Sequence, residues 1–306
     1  MAFVLKEPEY LMLLYNFAIV NFLLFCYINV IINELIICMI IDSHIHLSTY
    51  DNNAGSLQEV LELFLREMQK NNVSAAIIIP DNIENSESIA DLEKATELIE
   101  GKKNLFLLGS PQIIQRDSSE LEKYQKLLVE DKIKGLKFFP GHDPYYPTDD
   151  RCLPYYELCQ KLDVPVLFHT GENSRDSDCA KWNDPKYIVE VAKKYPVLKV
   201  IITHYYWPKV EYCYEITKNI PNIYFELAGL ADSEVVEKSG GIEIIRKILK
   251  KTIADRPDKV LLGTDWPMCK IEDHIALVKS LKLGERDENK VLSENSIKIY
   301  KLSIII

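Results

Sequence analysis

The chain has 306 residues, a formal net charge of −10 and a pI near 5.2, which excludes coating of nucleic acid or anionic lipid by bulk electrostatics. Seven cysteines are scattered at 26, 38, 152, 159, 179, 213 and 269 without a C-x-x-C pair or a zinc-knuckle spacing. That pattern predicts reduced thiols and a cytoplasmic protein rather than a disulfide framework. The length suits one (β/α)₈ barrel of slightly more than common size, or two smaller domains.

In chain order, the first feature is an uncharged run from Tyr10 to Asn33, long enough to cross a bilayer as a helix. Lys6, Glu7 and Glu9 precede it, so the basic start of a signal peptide is missing, as are an A-x-A-like cleavage site and an orienting positive bias. Three readings stand side by side: a membrane anchor through residues 10–33, a cleaved signal, and a true start at Met39 that leads straight into the first strand. Residues 1–38 are therefore read as an apolar N-terminal extension and 39–306 as a single catalytic domain. A chain beginning at Met39 is expected to fold and load metal by itself.

From there strand and helix signals alternate. The strand-like runs are Ile40–Leu47, Val73–Pro80, Asn104–Pro111, Ile133–Gly141, Pro165–Gly171, Lys199–Tyr205, Ile223–Gly229 and Val260–Pro267. Most are continuously apolar, as parallel strands covered on both faces should be. Between them lie amphipathic helices. Leu57, Val60, Leu61, Phe64, Leu65 and Met68 make the clearest stripe, behind a capping box of Ser56 and Glu59. Ser119 and Glu122 repeat that box, Asp184-Pro185 supplies an N-cap with proline at the first helical position, and Gly101 closes the second helix. Eight β/α units predict an α/β protein closed as a (β/α)₈ TIM barrel. Glu288–Leu302 reads as a last helix outside it. No G-x-G-x-x-G follows the first strand, which leaves a dinucleotide fold without support.

Of six histidines, four fall at strand C-termini, the ends that converge on the catalytic face of a barrel. His44 and His46 are two apart on strand 1 and so point the same way. His169 ends strand 5, His204 ends strand 6, and Asp265 ends strand 8. Imidazole and carboxylate suit zinc and related divalent ions, with manganese or iron as alternatives.

Asp42-Ser43-His44-Ile45-His46 resembles the strand-1 D-x-H-x-H signature of the amidohydrolase superfamily, and His169, His204 and Asp265 match its later positions. Phe168-His169-Thr170-Gly171, Gly263-Thr264-Asp265-Trp266-Pro267 and Val291–Leu302 with Glu294-Asn295 are similar to the branch called amidohydrolase family 2. The resemblance spans nearly all of 39–306. It implies one or two divalent ions, zinc foremost, with His44, His46, His169 and Asp265 as ligands. It further implies a metal that activates water as hydroxide, with Asp265 as proton shuttle. His204 would hydrogen-bond the substrate carbonyl or ligate a second ion. In binuclear members a carboxylated lysine on strand 4 bridges the metals, and Lys137 stands there. Lys137 alternatively pairs with a substrate carboxylate or with Asp42 or Glu226. Where relatives carry glycine two residues after the strand-6 histidine, this chain has Tyr206, within His204-Tyr205-Tyr206-Trp207-Pro208, which predicts a bulkier, aromatic pocket wall.

His142 reads as a loop histidine near the substrate or in solvent, and His274 as surface. Arg151 and Arg175 read as surface arginines or carboxylate anchors, while Glu226 and Glu172 lie near strand ends without an assigned role. The leading function is hydrolysis of an amide, cyclic amide, lactone or ester of a small molecule. The rivals are non-oxidative decarboxylation at the same metal and a barrel retained only for binding, against which the intact ligand set argues. The expected partners are a small-molecule substrate and, compatibly, further copies of the chain as a homo-oligomer. No nucleic acid is expected, and a membrane only if 1–38 are an anchor.

Overall fold

The computed structural model describes Asn21 and residues 39–305, apart from 51–52, 84–85, 116–118 and 174–175. Arg175 and, Asn21 excepted, the apolar run Tyr10–Asn33 lie outside the described residues. Among the described residues no helix is long and apolar enough to cross a membrane. The chain divides into two compact units, Met1–Met39 and Ile40–Ile306, and the second contains every described strand.

Eight parallel strands stand where the apolar runs place them: β1 (Ile40–Ile45), β2 (Val73–Ile78), β3 (Leu105–Leu107), β4 (Leu136–Phe138), β5 (Val166–Phe168), β6 (Val200–Thr203), β7 (Ile223–Glu226) and β8 (Val260–Leu261). They pair in sequence order as a three-stranded sheet, β1-β2-β3, and a five-stranded one, β4 to β8. The sheets meet at two seams. At one, Gly109 N–H donates to Gly135 O (2.9 Å) and Lys137 N–H to Gly109 O (2.7 Å). At the other, Ser43 N–H donates to Leu262 O (2.9 Å) and His46 N–H to Trp266 O (2.7 Å). Short bridges rather than continuous ladders thus complete the cyclic order of a (β/α)₈ barrel. The strands are shorter than the runs read from the sequence, because the chain stays buried for several residues beyond most strands without continuing the ladder.

Side-chain alternation splits the apolar residues into two layers. Ile41, Ala75, Ile77, Leu167, Ile201 and Leu261 fill the interior, while Ile78, Phe138, Phe168, Ile202 and Phe225 face the helices. These are α1 (Leu57–Lys70), α2 (Leu92–Leu98), α3 (Glu120–Val129), α4 (Leu153–Leu162), α5 (Pro185–Lys194), α6 (Val210–Thr217), α7 (Ser233–Lys238), α8 (Ile242–Asp255) and α9 (Ile271–Ser280). The α1 cap forms: Ser56 Oγ accepts from Glu59 N (3.3 Å), and Glu59 reaches back to Gly55 N (2.7 Å). Asp184 caps α5 through Lys186 N at 2.9 Å. Ser119 makes no side-chain cap; instead Glu120, the first residue of α3, accepts from Gln112 N at 2.9 Å. Gly101 occupies the left-handed turn two residues past the Ile99 cap of α2 rather than directly after it.

The last helical stretch differs most from expectation. It breaks into α10 (Glu285–Asn289), a widened turn over Lys290–Glu294, and α11 (Asn295–Tyr300). Instead of lying outside, Ile299, Tyr300 and Leu302 join the barrel's interior cluster. The backbone of Ile305 exchanges two 2.9 Å hydrogen bonds with the Asn104 side chain, just before β3, so this plug sits where the strands begin. The other end is left for the site.

Candidate active site

The strand-1 pair and the strand-8 acid are brought together by a buried carboxylate, Asp42. It accepts from Thr264 N (3.0 Å), Thr264 Oγ1 (2.6 Å) and His44 N (3.2 Å), tying β1 to the chain after β8. Asp265 N–H then donates to His44 O at 2.8 Å, and Asp265 adopts a left-handed φ of 71°, a strained conformation for a non-glycine residue. The outcome is a tight triad. Asp265 Oδ1 lies 3.4 Å from His44 Nε2 and 3.4 Å from His46 Nε2, and the two nitrogens are 3.2 Å apart. Gly263 makes room for it, since a Cβ there would come within 2.8 Å of both His44 Cβ and Glu226 Cγ.

Second partners fix the tautomers. His46 Nδ1 donates to Ile79 O (2.9 Å) and His204 Nδ1 to Ala228 O (3.0 Å); a carbonyl only accepts, so each Nδ1 carries the proton and each Nε2 keeps a free lone pair. His44 Nδ1 pairs with Glu226, which also accepts from Ser43 Oγ at 2.6 Å. Burial pushes the imidazoles of His44, His169 and His204 toward neutrality, that of His204 down to about 3. Burial alone would raise Asp265, but the surrounding imidazoles, His204 foremost, hold its carboxyl well below the usual range. Glu226 itself is pushed up to about 7 by burial, against the pull of Lys137.

Glu226, to which the sequence assigns no role, is the residue that holds His44 from behind. Its signal was an acid ending the buried strand β7, in register with Thr203. No spacing rule in the chain links position 226 to 44, because their proximity is a product of the barrel.

His169 lies just beyond β5, its ring 4.8 Å from His204 and 4.4 Å from His142. Its Nε2 is buried with no hydrogen-bond partner. An orphaned nitrogen of this kind, beside a triad whose three ligand atoms lie within 4.8 Å of one another, fits a divalent cation. Lys137 is wholly buried in the barrel interior and donates to Thr203 Oγ1 at 3.1 Å rather than to Asp42 or Glu226. Thr203 Oγ1 donates onward to Phe168 O (2.9 Å), so it receives a proton from Lys137. Burial pushes the Lys137 amine down to about 8.

His204 opens a run, with Tyr205 and Tyr206, of three consecutive left-handed non-glycine residues at φ 62°, 55° and 55°. Surrounding bonds hold this strain: Tyr206 N–H donates to Thr170 Oγ1 (2.9 Å), and Tyr205 is bonded to Thr252. The turn buries both tyrosines, so of the three aromatic residues Trp207 alone lines the site cavity.

That cavity is about 530 Å³ and is bounded by His44, His46, Lys137, His169, His204 and Asp265. His142 lines it too, with the residue itself exposed. Glu172 contributes to the rim and pairs with Lys238 at 3.5 Å. Arg151 is not an anchor there; it forks onto Asp149 at 2.8 Å through both Nε and Nη2. His274 is a correction. It is fully buried, its Nδ1 bonded to Lys270 O (3.0 Å) and its Nε2 to Ala231 N (3.4 Å), joining the start of α9 to the loop after β7. An amphipathic stripe places position 274 only approximately, and the loop covers it. None of the five described cysteines is in a disulfide.

The same architecture occurs in solved structures. An uncharacterised TIM-barrel protein of Bordetella bronchiseptica superposes with a TM-score of 0.69 at 19% identity, over 86% of this chain and 98% of that one. A probable 2-pyrone-4,6-dicarboxylic acid hydrolase of Acinetobacter baumannii gives 0.64 at 14%, over 86% and 99%. A 5-carboxyvanillate decarboxylase of Novosphingobium aromaticivorans, complexed with manganese and a nitrobenzoic acid, gives 0.57 at 12%, over 82% and 84%. At such identities these likenesses establish the fold alone. No curated protein sequence matches the chain. The sequence profile of the amidohydrolases of family 2 matches residues 101–302, and the chain belongs to that branch of the amidohydrolase superfamily.

Proposed function

We propose that the chain is a metal-dependent hydrolase acting on an amide, cyclic amide, lactone or ester that carries a carboxylate. One divalent cation would be held by His44, His46, His169 and Asp265. The observation that carries this reading is the convergence of Asp265 with two tautomer-fixed imidazoles on an open cavity beside the orphaned His169 Nε2. A cation bound there would lower the pKa of a water and polarise the scissile carbonyl.

The residues supply the rest. Asp265 is placed to take a proton from water and hand it to the leaving group. His204, with its proton on Nδ1, presents an acceptor to the cavity. It therefore accepts a hydrogen bond from the attacking water and orients it, whereas donation to a carbonyl oxygen would need a second proton that burial opposes. The Lys137 ammonium is suited to the substrate carboxylate. On this reading Lys137 stays an ammonium beside Thr203 and the site takes one metal, in keeping with the resemblance of the flanking phrases to the mononuclear branch.

Lys137 also supports a second reading, non-oxidative decarboxylation of a small carboxylic acid, an activity named for one of the similar folds. Metal analysis comes first: zinc or manganese should bind at one ion per chain, and no stoichiometric metal after reconstitution would end both readings. Lactones, amides and aromatic carboxylic acids are then screened in ¹⁸O water. Hydrolysis puts one ¹⁸O into the organic product, whereas decarboxylation puts none there and releases carbon dioxide.

A further inference from the structure

A second cavity adjoins the first. It measures about 480 Å³, and Trp207 and Glu172 line both. Their shared wall is fixed. Trp207 is buried, its carbonyl accepts from Glu172 N at 3.0 Å, and a Cβ on Gly171 would come within 2.5 Å of that same oxygen. Lys238 lies 5.5 Å from the indole centre and bridges Glu172 (3.5 Å) to Glu234 (2.9 Å). The two cavities thus adjoin at Trp207 and Glu172, so that a molecule reaching from the metal pocket past this wall would enter the second.

The walls of that cavity define what fits. Tyr146 and Tyr187 pack ring against ring with centroids 4.7 Å apart, and the exposed part of Tyr146 is what a ligand ring would meet. Three lysines (181, 186 and 209) and three acids (Glu172, Asp178 and Asp184) line the space, so it favours neither an anion nor a cation. Lys186 and Asp184 are held 3.9 Å apart, a separation that lets a hydroxyl accept from one and donate to the other.

We propose that this second cavity is a subsite for the distal part of the substrate, an uncharged hydroxylated aromatic ring, so that the enzyme acts on an elongated molecule with a carboxylate at one end and a phenol at the other. The subsite rests on the reading of the first cavity as the catalytic pocket only for its link to the carboxylate.

The test uses calorimetry on the full chain loaded with zinc. The ligands are phenol, plain alkanoates, and ω-(4-hydroxyphenyl)alkanoates of increasing length. At one chain length the phenolic acid should bind roughly tenfold more tightly than the plain acid, the scale of one aromatic contact. Tyr146→Ala and Tyr187→Ala should remove that gain while zinc loading and plain alkanoate affinity stay unchanged. A ring that adds nothing at any length, or a gain that survives both substitutions, overturns the proposal. Phenol alone should bind wild type and not Tyr187→Ala. That arm reads the subsite even if the plain acids fail to bind, a result that would count against the carboxylate role of Lys137 and not against the second cavity.

Discussion

Glu226→Gln isolates what one buried charge does for the metal site. The substitution is isosteric, which matters because Gly263 and Ser43 leave no slack around the side chain. Glutamine can keep the geometry: its oxygen can accept from His44 Nδ1, and its amide can donate to Ser43 Oγ, which turns its own proton to Leu262 O, 2.7 Å away. The tautomer of His44 survives, and only the negative charge behind the imidazole is lost. Partners of this kind contribute about 10–100-fold to metal affinity, so the charge alone should place Glu226→Gln near tenfold weaker, about 1.4 kcal/mol. Glu226→Ala also strands the His44 N–H and should approach a hundredfold, about 2.7 kcal/mol.

The pH dependence adds a second signature. Glu226 is pushed up to about 7 by burial, and a cation on His44 favours its ionised form. Wild-type affinity should therefore climb as pH rises through about 7, and the climb should be smaller in Glu226→Gln. Competition with a chromogenic chelator, for zinc and for manganese, measures both. A Glu226→Gln affinity within twofold of wild type, or a Glu226→Ala no weaker than Glu226→Gln, would refute the argument.

The metal-free protein should gain stability with rising pH between about 5 and 6.5. Near pH 5.5 the unfolded chain holds protons on three histidines (44, 169, 204) that burial keeps neutral in the fold, and His274, also lowered by burial, acts in the same direction. Asp42 and Glu226, pushed up to about 7, hold two protons only when folded. The difference of about one proton corresponds to a slope of about 1.4 kcal/mol per pH unit; urea midpoints that stay flat or fall over this range would contradict it. Lys137 is pushed down to about 8, so its ammonium is present below that pH and lost above. For a carboxylate substrate kcat/KM should fall roughly tenfold per unit above pH 8. Lys137→Met should show a low value without that limb, and an unchanged limb would remove Lys137 from substrate binding. Gly263→Ala inserts a methyl 2.8 Å from His44 Cβ and from Glu226 Cγ, and should cost about 1–3 kcal/mol in thermal or denaturant unfolding together with weaker metal binding. Wild-type stability in this variant would mean that the strands part more easily than the contacts imply.

How much was legible in the chain follows from which interactions are local. The eight strands, the α1 stripe and the Asp184-Pro185 cap are local in sequence, and each stands where the residues place it. His44 and His46 were legible as a pair because strand alternation is a two-residue rule, and Asp265 because a strand-end acid follows an apolar run. Glu226, His274 and Tyr300 were not legible in their observed roles, since each is defined by what packs over it from 40 or more positions away. Tyr206 shows a further limit. A position where relatives have glycine suggests a left-handed backbone, and the structure has φ 55° there with a tyrosine in place. Strain of that kind costs on the order of 1–3 kcal/mol per residue, and three such residues run in succession. Burying the Tyr205 and Tyr206 rings, stacking Tyr205 on Phe225 at 4.7 Å, and the Thr170 bond offset it. The side chains that look like a bulky pocket wall in the sequence are thus the packing that holds His204 in its strained conformation, its Nδ1 on Ala228 O and its Nε2 free. The aromatic run is spent largely on placing a histidine, and of its three rings only that of Trp207 lines the metal cavity.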